Sequence, residues 1–384
     1  MTMKNIYAIF ILFNFLKLSA DSLLVAVLMV KNEASVMEMT LLPLVDAGIT
    51  DFFIYDTGST DNTIAVTQEF FQKNNISNYV IEQGEWIDFA ASRNQALDLT
   101  EQYFPNAKFM VMLDAEWILH GGHELLQFCI MHEYDIEPLY AIKFSGSAID
   151  FYHPRLIRCK SNVVFVGKVH ETTNIVANKK VDDVIFFEYK NTKYGYQKSQ
   201  QRWQKDLKIL HQELQNYPED PRILSFLGQT YAALGDFTSA IKYFKQRLTV
   251  PGFVEENFLT LCFLAQAYAQ VGDEDNMNYY ALKAFEFRST RAEPLVFLAQ
   301  YYYEHEQYHL CYVFARHACT ISYPDQEILL VDRAVYDYTR YALLSATAHL
   351  MGDYDLGKEA TLKALQKYPE EESLQKNLKF YENA

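Results

Sequence analysis

Four stretches in the second half of the chain share one frame. Phe226–Phe244 (FLGQTYAALGDFTSAIKYF) carries Gly228, Tyr231, Gly235, Ala240 and Phe244 at fixed offsets. Phe263–Ala281 returns it through Ala265, Tyr268 and Gly272, and Phe297–Ala315 through Ala299 and Tyr302. Leu343–Thr361 does so through Ser345, Ala348, Gly352 and Gly357, closing near Pro369. A frame that returns in this way predicts stacked helix pairs, because one pair cannot bury its apolar face alone. Small residues let the paired helices approach closely, and the aromatics one turn on are expected to fill the space between repeats. With a long helix over Tyr196–Tyr217, closed by Pro218 and Pro221, the all-α part takes residues 196–384.

The first half has a different rhythm. The unbroken apolar string from Leu23 to Met29 suits a central parallel strand buried on both faces. Further strands follow at Asp51–Asp56, Tyr79–Gln83 and Lys108–Glu116, separated by helices over Ala34–Ala47, from near Asn62, and over Ala90–Tyr103. Ser59, Thr60 and Asp61 are N-cap residues for the second helix. Such alternation predicts an α/β domain, residues 21–195, with a Rossmann-like, mostly parallel sheet. Ligands bind at the carboxyl ends of the strands in such sheets. Polar residues gather at those ends here: Asn32 and Glu33, Asp56, Arg93 and Asn94, Asp114 and Glu116.

A chain of 384 residues accommodates both domains, and its net charge of −15 excludes a nucleic-acid partner, which needs clustered Lys and Arg. The five cysteines show neither a CxxC pair nor zinc spacing and read as buried free thiols. Lys4, the apolar run Ile6–Leu16 and the small residues before Asp21 read as a signal peptide or short membrane-targeting segment, residues 1–20. The run is shorter than the roughly 20 residues of a transmembrane span. Any membrane contact is expected through this segment alone. It points to the secretory-pathway lumen or a membrane-associated protein, with Asn75-Ile76-Ser77 a candidate glycosylation site, and to the cytoplasm if it is not a signal.

Five motifs, VKNE (Val30–Glu33), DTGSTD (Asp56–Asp61), FAASRNQAL (Phe89–Leu97), LDAE (Leu113–Glu116) and GKVHE (Gly167–Glu171), occur in this order. In order and spacing the chain resembles the family 2 glycosyltransferases of GT-A fold, in the branch fused to tetratricopeptide (TPR) repeats. The resemblance implies that Val30, Asn32, Glu33, Asp56, Arg93, Asn94 and Asp114 bind a nucleotide sugar, with Glu33 and Asp56 on uridine. A carboxylate accepts the N3–H of uracil or a ribose hydroxyl, and arginine pairs with a diphosphate. It further implies Mn2+ or Mg2+ held by Asp114, Glu116 and His170. Glu116 stands where the family's DXD motif has its second aspartate, and its longer arm puts metal affinity in question. An inverting transfer also needs a base, and Glu171 or Asp150 has the chemistry.

The reading is a glycosyltransferase that moves a sugar from a UDP-sugar to a protein, peptide or glycan acceptor, the repeat groove being one place to hold it. The alternative is a weak or inactive transferase-like scaffold that recruits proteins through its repeats. A dinucleotide oxidoreductase is excluded because no GxGxxG follows the first strand.

Overall fold

The computed structural model describes residues 22–146, 149–189 and 193–384; the expected targeting segment, residues 1–20, lies outside the described residues. The described chain divides into two compact units, one built on a sheet and one on the helices that follow it.

The sheet unit opens with β1 (Leu24–Val30), all seven residues buried, as an apolar run covered on both faces requires. There follow α1 (Met37–Asp46), β2 (Asp51–Asp56), α2 (Thr63–Lys73), β3 (Asn78–Gln83), α3 (Phe89–Tyr103) and β4 (Phe109–Asp114). Helix α1 starts three residues beyond the expected Ala34, because Glu33 to Val36 is spent in a turn closed by Val36 N–H on the Glu33 carbonyl. Helix α3 is capped by Asp88, whose side chain accepts from Ala91 N–H.

β1 pairs in parallel with β2 and with β4, and β2 with β3, so four strands end on one side. Beyond β4 the expectation of a mostly parallel sheet is corrected. The chain turns through Ala115 and Glu116 into β5 (Trp117–His120), then runs through α4 (Gly122–Met131), β6 (Leu139–Gly146) and β7 (Ile149–Arg158). β7 lies antiparallel on β4, so the sheet is mixed. Short β8 (Phe165–Val166), β9 (Thr172–Thr173), β10 (Lys179–Lys180) and β11 (Phe186–Tyr189) follow, giving the order β3-β2-β1-β4-β7-β6-β11-β5. Apolar layers lie on both faces of the parallel part. Leu28, Leu41 and Phe52 belong to one, and Val27, Phe53 and Met112 to the other.

The helical unit begins with α5 (Lys193–Asn216) and continues as pairs: α6 (Pro221–Ala233) with α7 (Phe237–Arg247), α8 (Val254–Gln270) with α9 (Glu274–Phe287), α10 (Glu293–Glu304) with α11 (Tyr308–Ala318), and α12 (Arg340–Thr347) with α13 (Tyr354–Lys367). Helix α14 (Glu372–Asn383) ends the array. A Cβ on Gly228 would stand 2.4 Å from the Phe244 ring, which is why the frame holds a small residue there. Its equivalents Ala265, Ala299 and Ser345 are buried.

The aromatics pack between pairs, as expected, where Phe244 of the first stacks on Phe263 of the second at 5.6 Å, and they also pack within pairs. Tyr231 stacks on Tyr243 at 5.5 Å, Tyr268 on Tyr280 at 5.4 Å and Tyr302 on Phe314 at 5.9 Å. Each stack joins the two helices of a single pair, because the second ring lies on the return helix opposite the first. Gly235, Gly272 and Gly352 supply positive φ at the turns, and the third pair uses Glu306, at φ 61, instead.

Candidate functional site

Two loops meet at the ends of β1 and β2. Asn32 N–H donates to Ser59 Oγ at 2.8 Å, and the Asn32 side-chain oxygen accepts Thr60 N–H at 2.7 Å. Glu33 N–H donates to Thr63 Oγ1, and Ala34 N–H to Asp61. The Val30 carbonyl accepts from both the amide and the hydroxyl of Thr57. Beneath this lattice lies Asp56, fully buried. Its Oδ1 accepts the amides of Gly58 and Ser59 at 2.9 and 2.8 Å, while Oδ2 is buried with no hydrogen-bond partner. An orphaned buried carboxylate oxygen is costly. It asks for a donor from a ligand.

The second half of the site is a cluster of four charges. Arg93, on α3 and 1% exposed, faces both oxygens of Asp114: Nη2 donates to Oδ2 at 2.9 Å, while Nη1 lies 2.7 Å from Oδ1 as an ion pair without hydrogen-bond geometry. Its Nε donates to Glu171 Oε1 at 2.8 Å, and Arg155 on β7 reaches the same oxygen at 3.3 Å. Arg155 is 4% exposed, its guanidinium 5.1 Å from the Trp117 ring centre and 5.3 Å from that of Phe165. Its Nε and Nη1 have no hydrogen-bond partner. Unmet buried donors cost about 1–3 kcal/mol each. The side chain of Asp114 remains one-third exposed (33%) and opens the cluster to solvent.

Burial alone would raise the Asp114 and Glu171 carboxyls, but Arg93, and then Arg155, hold both below the usual carboxylate range. Burial lowers Arg155, helped by the charge of Arg93. His153, stacked on Trp117 at 5.8 Å, is pushed down to about 3 by burial and the charge of Arg155. It stays neutral.

This sets a pH dependence. Unfolded chains protonate a histidine below its ordinary 6.5, whereas folded His153 resists until about 3. The stabilisation is therefore complete above pH 6.5 and is lost as pH falls toward 3, by at most about 1.4 kcal/mol per unit, the limit for a single proton. The thermal midpoint of the sheet unit should drop between pH 6.5 and 4, and His153→Gln should flatten that fall. An unchanged slope in the variant would refute the assignment.

The structure redistributes several expected roles. Asn94, expected on the nucleotide, has its side chain clipped to β8, donating to the Phe165 carbonyl at 2.9 Å and accepting Phe165 N–H at 2.7 Å. Glu171, expected as a base, is anchored by two arginines, which leaves its carboxylate weakly basic. The side chain of Asp150, the other expected base, lies outside the described residues. Asn32, Glu116 and His170 share an unusual backbone, with φ of 57, 76 and 50. Non-glycine residues in that region cluster where a site is held in shape. Arg155 is the member of the cluster that the sequence motifs do not include. It shares β7 with His153 and Arg158, and no spacing in that strand sets it apart.

A divalent ion implied for Asp114, Glu116 and His170 would have to share Asp114 with Arg93. Arg93 already occupies both oxygens of Asp114, and among the described residues no three His, Cys, Asp or Glu side chains gather to hold a metal. All five cysteines are free, and Cys129 and Cys311 are buried.

In the helical unit a groove of about 860 Å³ crosses the first three pairs, with Phe244, Phe263 and Phe297 among its lining residues. Gln229, Gln266 and Gln300, one per pair at the same frame position, also line it. Among the described residues no helix is long and apolar enough to cross a membrane.

No protein-family model matches the chain, and neither does any curated protein. Among solved structures, the chain is similar to a MamA protein (20% identity, TM-score 0.33, 42% of this chain and 80% of that one). It is also similar to a thermophilic TPR protein of Thermus thermophilus (16%, TM-score 0.31, 48% and 93%). A third is YrrB, described as a TPR protein with an unusual peptide-binding site (12%, TM-score 0.35, 47% and 86%).

Proposed function

We propose that the sheet unit binds a uridine diphosphate sugar at the ends of β1, β2 and β4 and transfers the sugar to a polypeptide held by the helical unit. One observation carries this reading: the buried Asp56 carboxylate, with one oxygen fixed by two amides and the other unpartnered. Uracil offers an N3–H to such an oxygen, and cytosine, whose N3 is itself an acceptor, does not. Four parallel strands ending together, with acids at the ends of β2 and β4, agree with the resemblance carried by the motifs.

Calorimetric titration tests it. The protein should prefer UDP to CDP, and Asp56→Asn should weaken UDP about tenfold or more. The amide keeps one oxygen for Gly58 and Ser59 but places N–H against N–H, so CDP should lose little. Equal binding of UDP and CDP by the unmodified protein would rule out the uridine reading.

A second reading, a scaffold that recruits proteins without transferring sugar, is favoured by the groove and by the weak basicity of Glu171. Glutamine amides both donate and accept, as does an extended peptide backbone. Absence of any UDP binding, with retained peptide binding, would select it.

A further inference from the structure

The charge cluster carries a consequence for how the phosphates of the ligand are met, and it rests on the donor-site reading above. Arg93, Arg155, Asp114 and Glu171 sum to zero charge, each acid bonded to at least one guanidinium. A divalent ion brought to Asp114 would share its oxygens with Arg93, which is buried and cannot swing away without releasing Glu171 as well. The acid is spoken for. What the cluster lacks is an acceptor: two nitrogens of Arg155, Nε and Nη1, are buried with no hydrogen-bond partner, on a guanidinium packed over the Trp117 and Phe165 rings. Phosphate oxygens are among the acceptors that guanidinium binds best, and a guanidinium packed on rings loses little freedom on binding them. Asp114, the exposed member, marks the side on which a ligand reaches the cluster.

We infer that this chain meets the diphosphate of its nucleotide ligand with the Arg155 guanidinium and without a divalent cation. In that arrangement Arg93 and Glu171 position Arg155, and Asp114 acts as the counter-charge of Arg93, not as a metal ligand.

The full-length protein is titrated with UDP and with uridine, first in EDTA and then with manganese, and manganese uptake is followed separately by water-proton relaxation. UDP should bind in EDTA, and manganese should change its affinity by less than about twofold. Arg155→Gln should weaken UDP by about tenfold or more and leave uridine unchanged, because uridine has no phosphates. Arg155→Lys, which keeps the charge but loses the fork, should fall between the two. UDP binding that appears only with manganese would overturn the inference. So would stoichiometric manganese uptake that Asp114→Asn removes, a measurement that stands even if the Arg155 variants fail to fold. UDP binding in EDTA that Arg155→Gln leaves intact would overturn it too, while sparing the donor-site reading. If neither uridine nor UDP binds, the donor-site reading fails and takes this inference with it.

Discussion

Replacing Arg93 by leucine is expected to remove about 3–5 kcal/mol from the stability of the sheet unit, because it strands two acids at once, Glu171 nearly buried and Asp114 partly so. Asp114 loses both of its guanidinium contacts, and Glu171 keeps only the longer one from Arg155. The loss should exceed that of removing either acid alone, since each acid leaves a cation with a second partner. A double variant, Arg93→Leu with Glu171→Gln, should recover part of it, as the neutral amide needs no counter-charge. Urea unfolding of the sheet unit reads all three. Additive losses would mean that the groups do not act as a cluster.

Arg291→Met should destabilise the helical unit by a similar amount, about 3–5 kcal/mol. Arg291 is fully buried and bonds the Glu293 carboxylate at 2.7–3.0 Å, Glu327 at 3.4 Å and the Leu330 carbonyl at 3.0 Å. Its guanidinium also lies 4.7 Å from the Phe258 ring centre. Methionine replaces the packing and none of the hydrogen bonds. The segment from Glu327 to Leu330 should loosen first, so hydrogen exchange at the Ile328 and Leu329 amides should speed up more than in α6 or α7. Those amides now bond Glu255 at 3.0 and 2.7 Å. Unchanged exchange there would show that Glu255 alone holds the segment.

Much of this architecture is legible in the chain because the signals are local. The run at β1, the strand Asp51–Asp56 and the helix-pair frame are patterns over a few residues, set by burial and by capping. The charge cluster is not local. Arg93 meets Asp114 across 21 positions and Glu171 across 78, and no spacing rule links them. Asn94 and Arg93 are adjacent in one motif, yet one clips a strand while the other neutralises two acids. Motif reading assigns both to the ligand because it does not show which way neighbouring side chains on a helix point. The mixed sheet escaped for a similar reason: the sequence marks β4 clearly, but the antiparallel return of β7 depends on which strand it finds.

The tie at Glu327 bears on how the array comes apart. Stacked helix pairs ordinarily touch only their neighbours and fray inward from either end, one pair after another. Here Glu255 on the second pair, Arg288 and Arg291 before the third, and the stretch leading to the fourth are laced through one buried set of charges. Loss of α14 and α13 from the C-terminal end therefore meets a stop. Beyond that point the second and third pairs part together or hold together, and the array behaves as two mechanical blocks where its sequence repeats four times.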